Sequence, residues 1–384
     1  AVSPPRVFVG NVHPCAACDV TAGPAFARRC FRRAQRSEMF ADSGRSEQEA
    51  VQCSDVIAKR FSLTEQVVYR GLASTIFHGL DRGSFLQVAV KVLMKRSFDS
   101  DGEYRNALAE VELHAAIPAN PNIIRLLASE ETADAILLVT PYTPHGDLWN
   151  LTSFGQTYCE AEVRLCAAQM LAALRHLHSV CGVVHCDVKP HNFLLFRSQG
   201  RYSVQLIDFG LAEMPGASGV VVWHGVRGTS GWYAPEMLAH EDYSFTVDLF
   251  GIGLIIFRML GGYHPFDPPS AFRRGADFDE RCWCHVGPLC RQFIGKLLSI
   301  APVERGTSAE ACAHAWASGP PPPDPTAEQL KLLSTYGPPP STDVKFWPPG
   351  EVPEPHLCNS YLNLAELAGM AGKDDGMDID GEGE

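Results

Sequence analysis

The spacing of apolar residues changes character along this chain, and each change marks a different kind of structure. Residues 65–79, EQVVYRGLASTIFHG, and 85–95, FLQVAVKVLMK, alternate apolar and polar positions as antiparallel strands do. Residues 104–117, YRNALAEVELHAAI, space their apolar positions as a helix does, and 135–142, AILLVTPY, returns to strand. From Glu160 onward the pattern is helical: EAEVRLCAAQMLAALRHLHSV (160–180), the region around 244–261, then 287–299 and 307–317. A strand-rich stretch followed by a helix-rich one predicts an α+β protein of two lobes with a cleft between them. The boundaries are an N-lobe over 61–142 and a C-lobe over 143–317.

Both ends read differently. Residues 1–60 are an extension expected to be irregular, with an arginine cluster, FARRCFRRAQR, at 26–36. From Ser318 the chain turns Pro-rich in GPPPPDP, GPPPS and FWPPGEVPEP, then acidic in GKDDGMDIDGEGE. Such a composition buries little apolar surface, so 318–384 reads as disordered and its removal as harmless to the fold. The arginine cluster reads either as a solvated charged segment or as a partner-binding helix, and YLNLAELAGM (361–370) as a short docking helix. A regulatory partner is therefore expected at one of the two extensions.

Charge and cysteine content narrow the class. With 32 basic and 44 acidic residues the formal charge is −12, which argues against nucleic acid or an anionic membrane as partner. The most apolar run, FTVDLFGIGLIIFRML (245–260), carries Asp248 and Arg258 and reads as a buried helix rather than a membrane span. No signal peptide is visible. Thirteen cysteines without framework spacing suggest reduced thiols and a cytoplasmic or nuclear setting. Cys15 and Cys18, near His13 and Cys30, have metal-ligand spacing without a second Cys-x-x-Cys, whereas Cys282, Cys284 and Cys290 read as packing residues.

The chemistry concentrates in VVHCDVKPHNFLL, residues 183–195. Two apolar runs, Val183-Val184 and Phe193–Leu195, read as short buried strands that anchor a polar loop between them. Transfer of a phosphoryl group needs metal ions, a cation on the phosphates and a carboxylate facing the nucleophile. Asp187, Lys189 and Asn192 supply a carboxylate, an ammonium and an amide oxygen within six positions. Farther along, VQLIDFGLAE sets Asp208 at the end of another strand, and upstream VAVK ends on Lys91, with Glu110 in the following helix.

These motifs resemble the eukaryotic protein kinase family. HCDVKPHN looks like its catalytic loop, DFG its magnesium-binding triplet and VAVK its phosphate-anchoring strand, while GTSGWYAPE, DLFGIG and ERGTSAEACAHAWA follow in the family's order. The resemblance covers roughly 63–317 and implies a two-lobed kinase fold, with a small mostly β N-lobe and a larger mostly α C-lobe. It implies ATP and Mg2+ as cofactors and protein substrates bearing Ser or Thr, the Lys189-Pro190 pair resembling the Ser/Thr-directed branch. By that resemblance Asp187 is the catalytic base, Lys189 supports the transferring group, and Asn192 and Asp208 hold metal. Lys91, held by Glu110, contacts phosphates, and Arg305 pairs with Glu236.

The remaining nucleotide contacts follow from the same alignment. Ile76 takes the place of the loop valine and Ala89 lines the same site. Thr140 gates the back of the adenine pocket, the hinge near Tyr142 meets adenine, and Asp147 meets the ribose. The glycine-rich loop departs from the family: Tyr69, Gly71 and Ser74 stand where three glycines are expected. That departure favours a competing reading, a catalytically silent scaffold of the same fold. Cys186 stands where much of the family has an arginine that pairs with a phosphate on the activation segment, so the resemblance implies activity without that phosphate.

Overall fold

Alternation of period two becomes an antiparallel sheet of five strands, β1 (Phe61–Arg70), β2 (Thr75–Asp81), β3 (Gln87–Met94), β4 (Ala128–Glu131) and β5 (Ala135–Pro141), in the order β1-β2-β3-β5-β4. The computed structural model describes residues 46–52, 54–71, 74–152, 155–225, 227–266, 275–320, 322, 326–329, 341, 343–348 and 351. The sequence readings for the cysteines and arginines of 13–36 and for 361–370 lie outside these residues.

Because successive side chains of a strand point to opposite faces, each strand serves two layers. Val88, Val90 and Val92 of β3 join Phe77, Leu137 and Val139 on one face. That face is covered by α1 (Glu47–Gln52) and α2 (Ile57–Arg60), through Ala50, Val51 and Ile57. Here the structure departs from the irregular extension expected over 1–60. The two helices are too short for apolar periodicity to register, and tertiary burial rather than local propensity fixes them. On the other face, Leu93, Ile136 and Leu138 meet Ala107 of α3 (Asp101–Ala116). Lys91 shares the parity of Leu93 and therefore faces α3. Glu110, three residues beyond Ala107, lies on the helix face that packs there.

The helical lobe holds α4 (Glu160–Ser179), α5 (Pro235–Leu238), α6 (Thr246–Gly261), α7 (Glu280–Trp283), α8 (Pro288–Leu297), α9 (Pro302–Arg305), α10 (Ser308–Ala313) and α11 (Ala315–Ser318). A two-stranded hairpin of β6 (Phe193–Ser198) and β7 (Arg201–Leu206) turns through Gln199 and Gly200, both at positive φ as a tight hairpin of this kind requires. Val183 and Val184, expected as a strand, contribute only a single bridge from Val184 to Glu213. α6 runs through the centre of the core and is buried nearly throughout. A Cβ on its Gly251 would stand 2.6 Å from the Val188 carbonyl oxygen, so glycine is what lets the helix approach the 183–195 loop. Among the described residues no helix is long and apolar enough to cross a membrane.

The tail differs most from expectation. Residues 343–348, inside the segment read as disordered, lie along α4 and β7. Tyr202 donates its N–H to the Lys345 carbonyl at 2.6 Å, and Trp347 donates back to Tyr202 at 2.9 Å. Phe346 is 1 % exposed within the C-lobe core, with its N–H on Glu162 at 2.8 Å. Gln169 of α4 donates to the Trp347 carbonyl at 2.8 Å. Pro-rich flanks hid a short strand-like segment whose two aromatic residues carry the burial.

Candidate active site

A histidine and an aspartate fix the 183–195 loop before any reactive group is placed. Asp248, in the first turn of α6, is 1 % exposed and accepts hydrogen bonds from the backbone N–H groups of His185 (2.7 Å) and Cys186 (2.9 Å) and from His178 Nε2 (2.8 Å). His185 is fully buried, with Nε2 3.0 Å from the Ile207 carbonyl and its ring against Phe209. Sequence reading placed Asp248 in a buried helix without giving it this work. Its signal was a lone carboxylate in an otherwise apolar helical run, since a buried charge requires partners. Cys186 and Asp208 both sit at positive φ, +65° each, a conformation that costs non-glycine residues about 1–3 kcal/mol and persists only where surroundings enforce it.

On this anchored backbone Asp187, Lys189, Asn192 and Thr229 converge. The Asp187 carboxylate is 2.5 Å from Lys189 Nζ, and its other oxygen accepts from Thr229 Oγ1 at 2.9 Å. Lys189 also reaches Thr229 Oγ1 at 2.6 Å. Asn192 Nδ2 donates to the Asp187 carbonyl (2.8 Å) and carboxylate (3.1 Å), which turns its amide oxygen away from that pair. Gly228, at φ +105°, makes the approach of Thr229 possible: a Cβ there would crowd the Cys186 carbonyl at 3.1 Å.

Lys91 Nζ lies 2.6 Å from Glu110 Oε1 and 3.5 Å from Asp208 Oδ1. Burial disfavours the ammonium, but Asp208 and Glu110 more than offset it and raise the Lys91 pKa above the ordinary lysine value. The Lys91 charge in turn lowers the Asp208 pKa against the cost of burial, helped by His185, Lys189 and the Gly210 N–H. Asp208 is therefore ionised at neutral pH. Glu112, two residues farther along α3, makes no ion pair with Lys91.

The residues expected to meet a nucleotide lie on or beside the strands of the sheet and in the turn that follows β5. Ile76 and Lys91 are cross-strand partners, and Ala89 is paired with Thr140. Gly71 donates its N–H to the Ser74 carbonyl at 2.9 Å, closing the β1–β2 connection. The Tyr69 ring folds over Gly71, where a Cβ would stand 2.8 Å from Cε1. The Tyr142 N–H donates to the Gln87 carbonyl at 3.0 Å. Asp147 caps a short turn by accepting the Trp149 N–H at 3.0 Å, and burial raises its pKa.

Beyond Asp208 the chain is pinned by its own residues. Val221 and Tyr243 exchange backbone hydrogen bonds at 2.7 and 3.1 Å, Trp223 donates to Asp242 at 2.9 Å, and Arg227 pairs with Glu213. Cys186 is buried, and burial pushes its thiol well above the usual range. Arg305, 1 % exposed, forms a two-pronged ion pair with Glu236 at 2.6 and 2.8 Å and closes the base of the lobe. Cys282, Cys284 and Cys290 join no metal-holding group among the described residues.

Comparison with known proteins agrees with this geometry. The protein kinase domain profile matches residues 64–317. The chain is 36 % identical over 207 residues to calcium/calmodulin-dependent protein kinase type II subunit delta of Oryctolagus cuniculus, covering 52 % of this chain and 38 % of the relative. It is also 36 % identical over 205 residues to the calcium/calmodulin-dependent protein kinase type II alpha chain of Drosophila melanogaster, covering 51 % and 38 %. The chain thus spans well under half the length of either relative. With the profile spanning most of the chain, this protein belongs to the protein kinase family.

Proposed function

We propose that this protein transfers the γ-phosphoryl group of ATP, with magnesium, to Ser and Thr hydroxyls of proteins. The observation that carries the reading is the bonded cluster of Asp187, Lys189, Asn192 and Thr229 beside the Lys91–Glu110–Asp208 triad, close enough for the Lys189 charge to act on Asp208. In this reading Asp187 orients and receives the proton of the acceptor hydroxyl, and Lys189 neutralises charge on the group in flight. Lys91 steadies the phosphates. The donor set fits magnesium: Asp208 offers an ionised carboxylate and Asn192 an amide oxygen, hard oxygen ligands of the kind that ion prefers. When bound, magnesium would neutralise phosphate charge, and these two residues would hold it.

The competing reading, a silent scaffold, rests on Tyr69 and Ser74 in place of loop glycines, with Tyr69 folded over Gly71. Radiolabelled phosphate transfer from ATP to a generic protein substrate separates the two, with Asp208→Asn as control. Transfer by the wild-type chain that disappears in the variant supports the kinase reading; no transfer by either overturns it.

The relatives are named for calcium/calmodulin dependence. In this chain the arginine-rich 26–36 segment has the composition for such a partner, and a cytoplasmic or nuclear setting suits it. Binding of calcium-loaded calmodulin to the full chain, abolished by replacing Arg28, Arg29, Arg32 and Arg33 with Ala, tests this.

A further inference from the structure

α6 carries, near its end, a cation that the reaction described above does not use. Arg258 is half-buried and donates to the Thr152 carbonyl at 2.8 Å. Its guanidinium stands 5.1 Å from the centre of the Trp149 ring and 5.6 Å from that of Trp232, so two indoles flank it. Among the described residues no carboxylate pairs with it. Burial acts alone on its charge and lowers its pKa with no acid to oppose the shift.

Both flanking rings belong to the surface that must receive a substrate. Trp149 stacks on the exposed ring of His191 at 4.5 Å and 20°, and His191 directly precedes Asn192. Trp232 lies three residues beyond Thr229, which hydrogen-bonds to Asp187. Arg258 is thereby bracketed by the loop that addresses the acceptor hydroxyl and by the segment beside it. Asp187, Lys189 and Arg258 all act electrostatically on His191, which places the guanidinium within one side chain of the reacting centre.

A half-buried guanidinium without a counter-ion lacks the partner that would offset its desolvation. Two aromatic faces give it some cation–π support and hold its planar fork in place. Among the described residues no oxyanion meets it, and a planar fork pairs best with a carboxylate or a phosphate. An arginine from a substrate would meet like charge here.

We propose that Arg258, held between Trp149 and Trp232 beside His191, is a specificity subsite for an anionic side chain of the substrate, Asp, Glu or a phosphorylated residue, close to the acceptor hydroxyl. This rests on the kinase reading above and names the substrate class of the same site. Arg258 is a specificity residue and takes no part in the transfer itself.

The experiment uses the full chain and a library of serine-acceptor peptides. Each peptide carries Asp, Glu, phosphoserine, Ala or Arg at one position within about four residues of the acceptor. At one position kcat/KM for the acidic peptides should exceed that for Ala by about fivefold or more, mainly through KM, with Arg below Ala. The Asp, Glu and phosphoserine arms show whether a carboxylate suffices or a phosphate is selected. Arg258→Glu should move the preference at that position from acid to Arg. Since Arg258 is half-buried, His191→Glu at an exposed position provides a second variant and should lower the acidic preference by supplying Arg258 with an internal counter-ion.

A wild-type chain that phosphorylates the library with no acidic preference overturns the proposal. So does an Arg258→Met chain that slows all peptides by one common factor, because Arg258 then only packs the indoles. If no peptide is phosphorylated, the kinase reading itself fails, and this proposal with it.

Discussion

Lys91 Nζ and Glu110 Oε1 are 2.6 Å apart, an ion pair between a sheet strand and the helix packed on it. The pair exists because Lys91 falls on the α3 face of β3 and Glu110 on the sheet-facing side of α3. Lys91→Met should therefore remove most phosphoryl transfer while leaving the lobe folded. Loss of one preorganised electrostatic contact lowers the rate by about 10²–10³. Steady-state turnover and circular dichroism check this; turnover near wild type would show that Lys91 does not anchor the phosphates.

Asp187 and Asp208 have different partners and should separate in binding. Asp187 is tied to Lys189 and Thr229, groups that face the acceptor, whereas Asp208 is tied to Lys91. Asp187→Asn should abolish turnover and keep nucleotide affinity. Asp208→Asn should lose both turnover and magnesium-dependent affinity. Calorimetric titration with ATP and magnesium decides, and equal losses of affinity would undo the assignment of roles.

The segment beyond Asp208 is held by Arg227–Glu213, by the Val221–Tyr243 backbone pair and by Trp223 on Asp242. Cys186 offers neither charge nor a fork to bind a phosphate, while Ser218 is exposed in a turn. Phosphatase-treated protein and Ser218→Ala should keep the turnover of untreated protein. A loss of about tenfold or more, restored by rephosphorylating that segment, would show that a phosphate is needed after all.

The docked tail segment should be part of the fold. Phe346→Ala removes a ring that is 1 % exposed and should cost about 3–5 kcal/mol of C-lobe stability. Truncation after Ser318 should lower the melting temperature, whereas truncation after Glu351 should leave it unchanged. Differential scanning calorimetry on the three chains is the check. Equal melting temperatures for both truncations would mean that 343–348 adds nothing to stability.

His285 is 5 % exposed, and burial depresses its pKa to about 4. The unfolded chain protonates this imidazole near its ordinary value while the folded chain resists down to about 4. Its contribution is thus fully present above pH 6.5 and lost as pH falls toward 4. The loss amounts to about 3 kcal/mol at most, at 1.36 kcal/mol per unit. Urea midpoints between pH 7 and pH 4.5 should fall for wild type and fall less for His285→Phe. Parallel curves would assign the acid sensitivity to other groups.

By itself the sequence determined the two-lobed order and most of the reactive set. Period-two alternation fixes which residues of β3 face α3 and helical spacing fixes which residues of α3 face back, while the choice of Glu110 as partner of Lys91 came from the resemblance to the kinase family. Asp187, Lys189 and Asn192 are legible because they share one short loop. Tertiary structure alone decided the rest, because burial by distant segments leaves no local period. The short helices at 47–60 and the segment 343–348 are held by surfaces far away in sequence, and neither spans enough residues to show a pattern. Asp248 became the loop's anchor only when α6 brought its carboxylate under His185 and Cys186. Arg258 gained its place between Trp149 and Trp232 from three separate elements, which converge only when the helical lobe closes around α6.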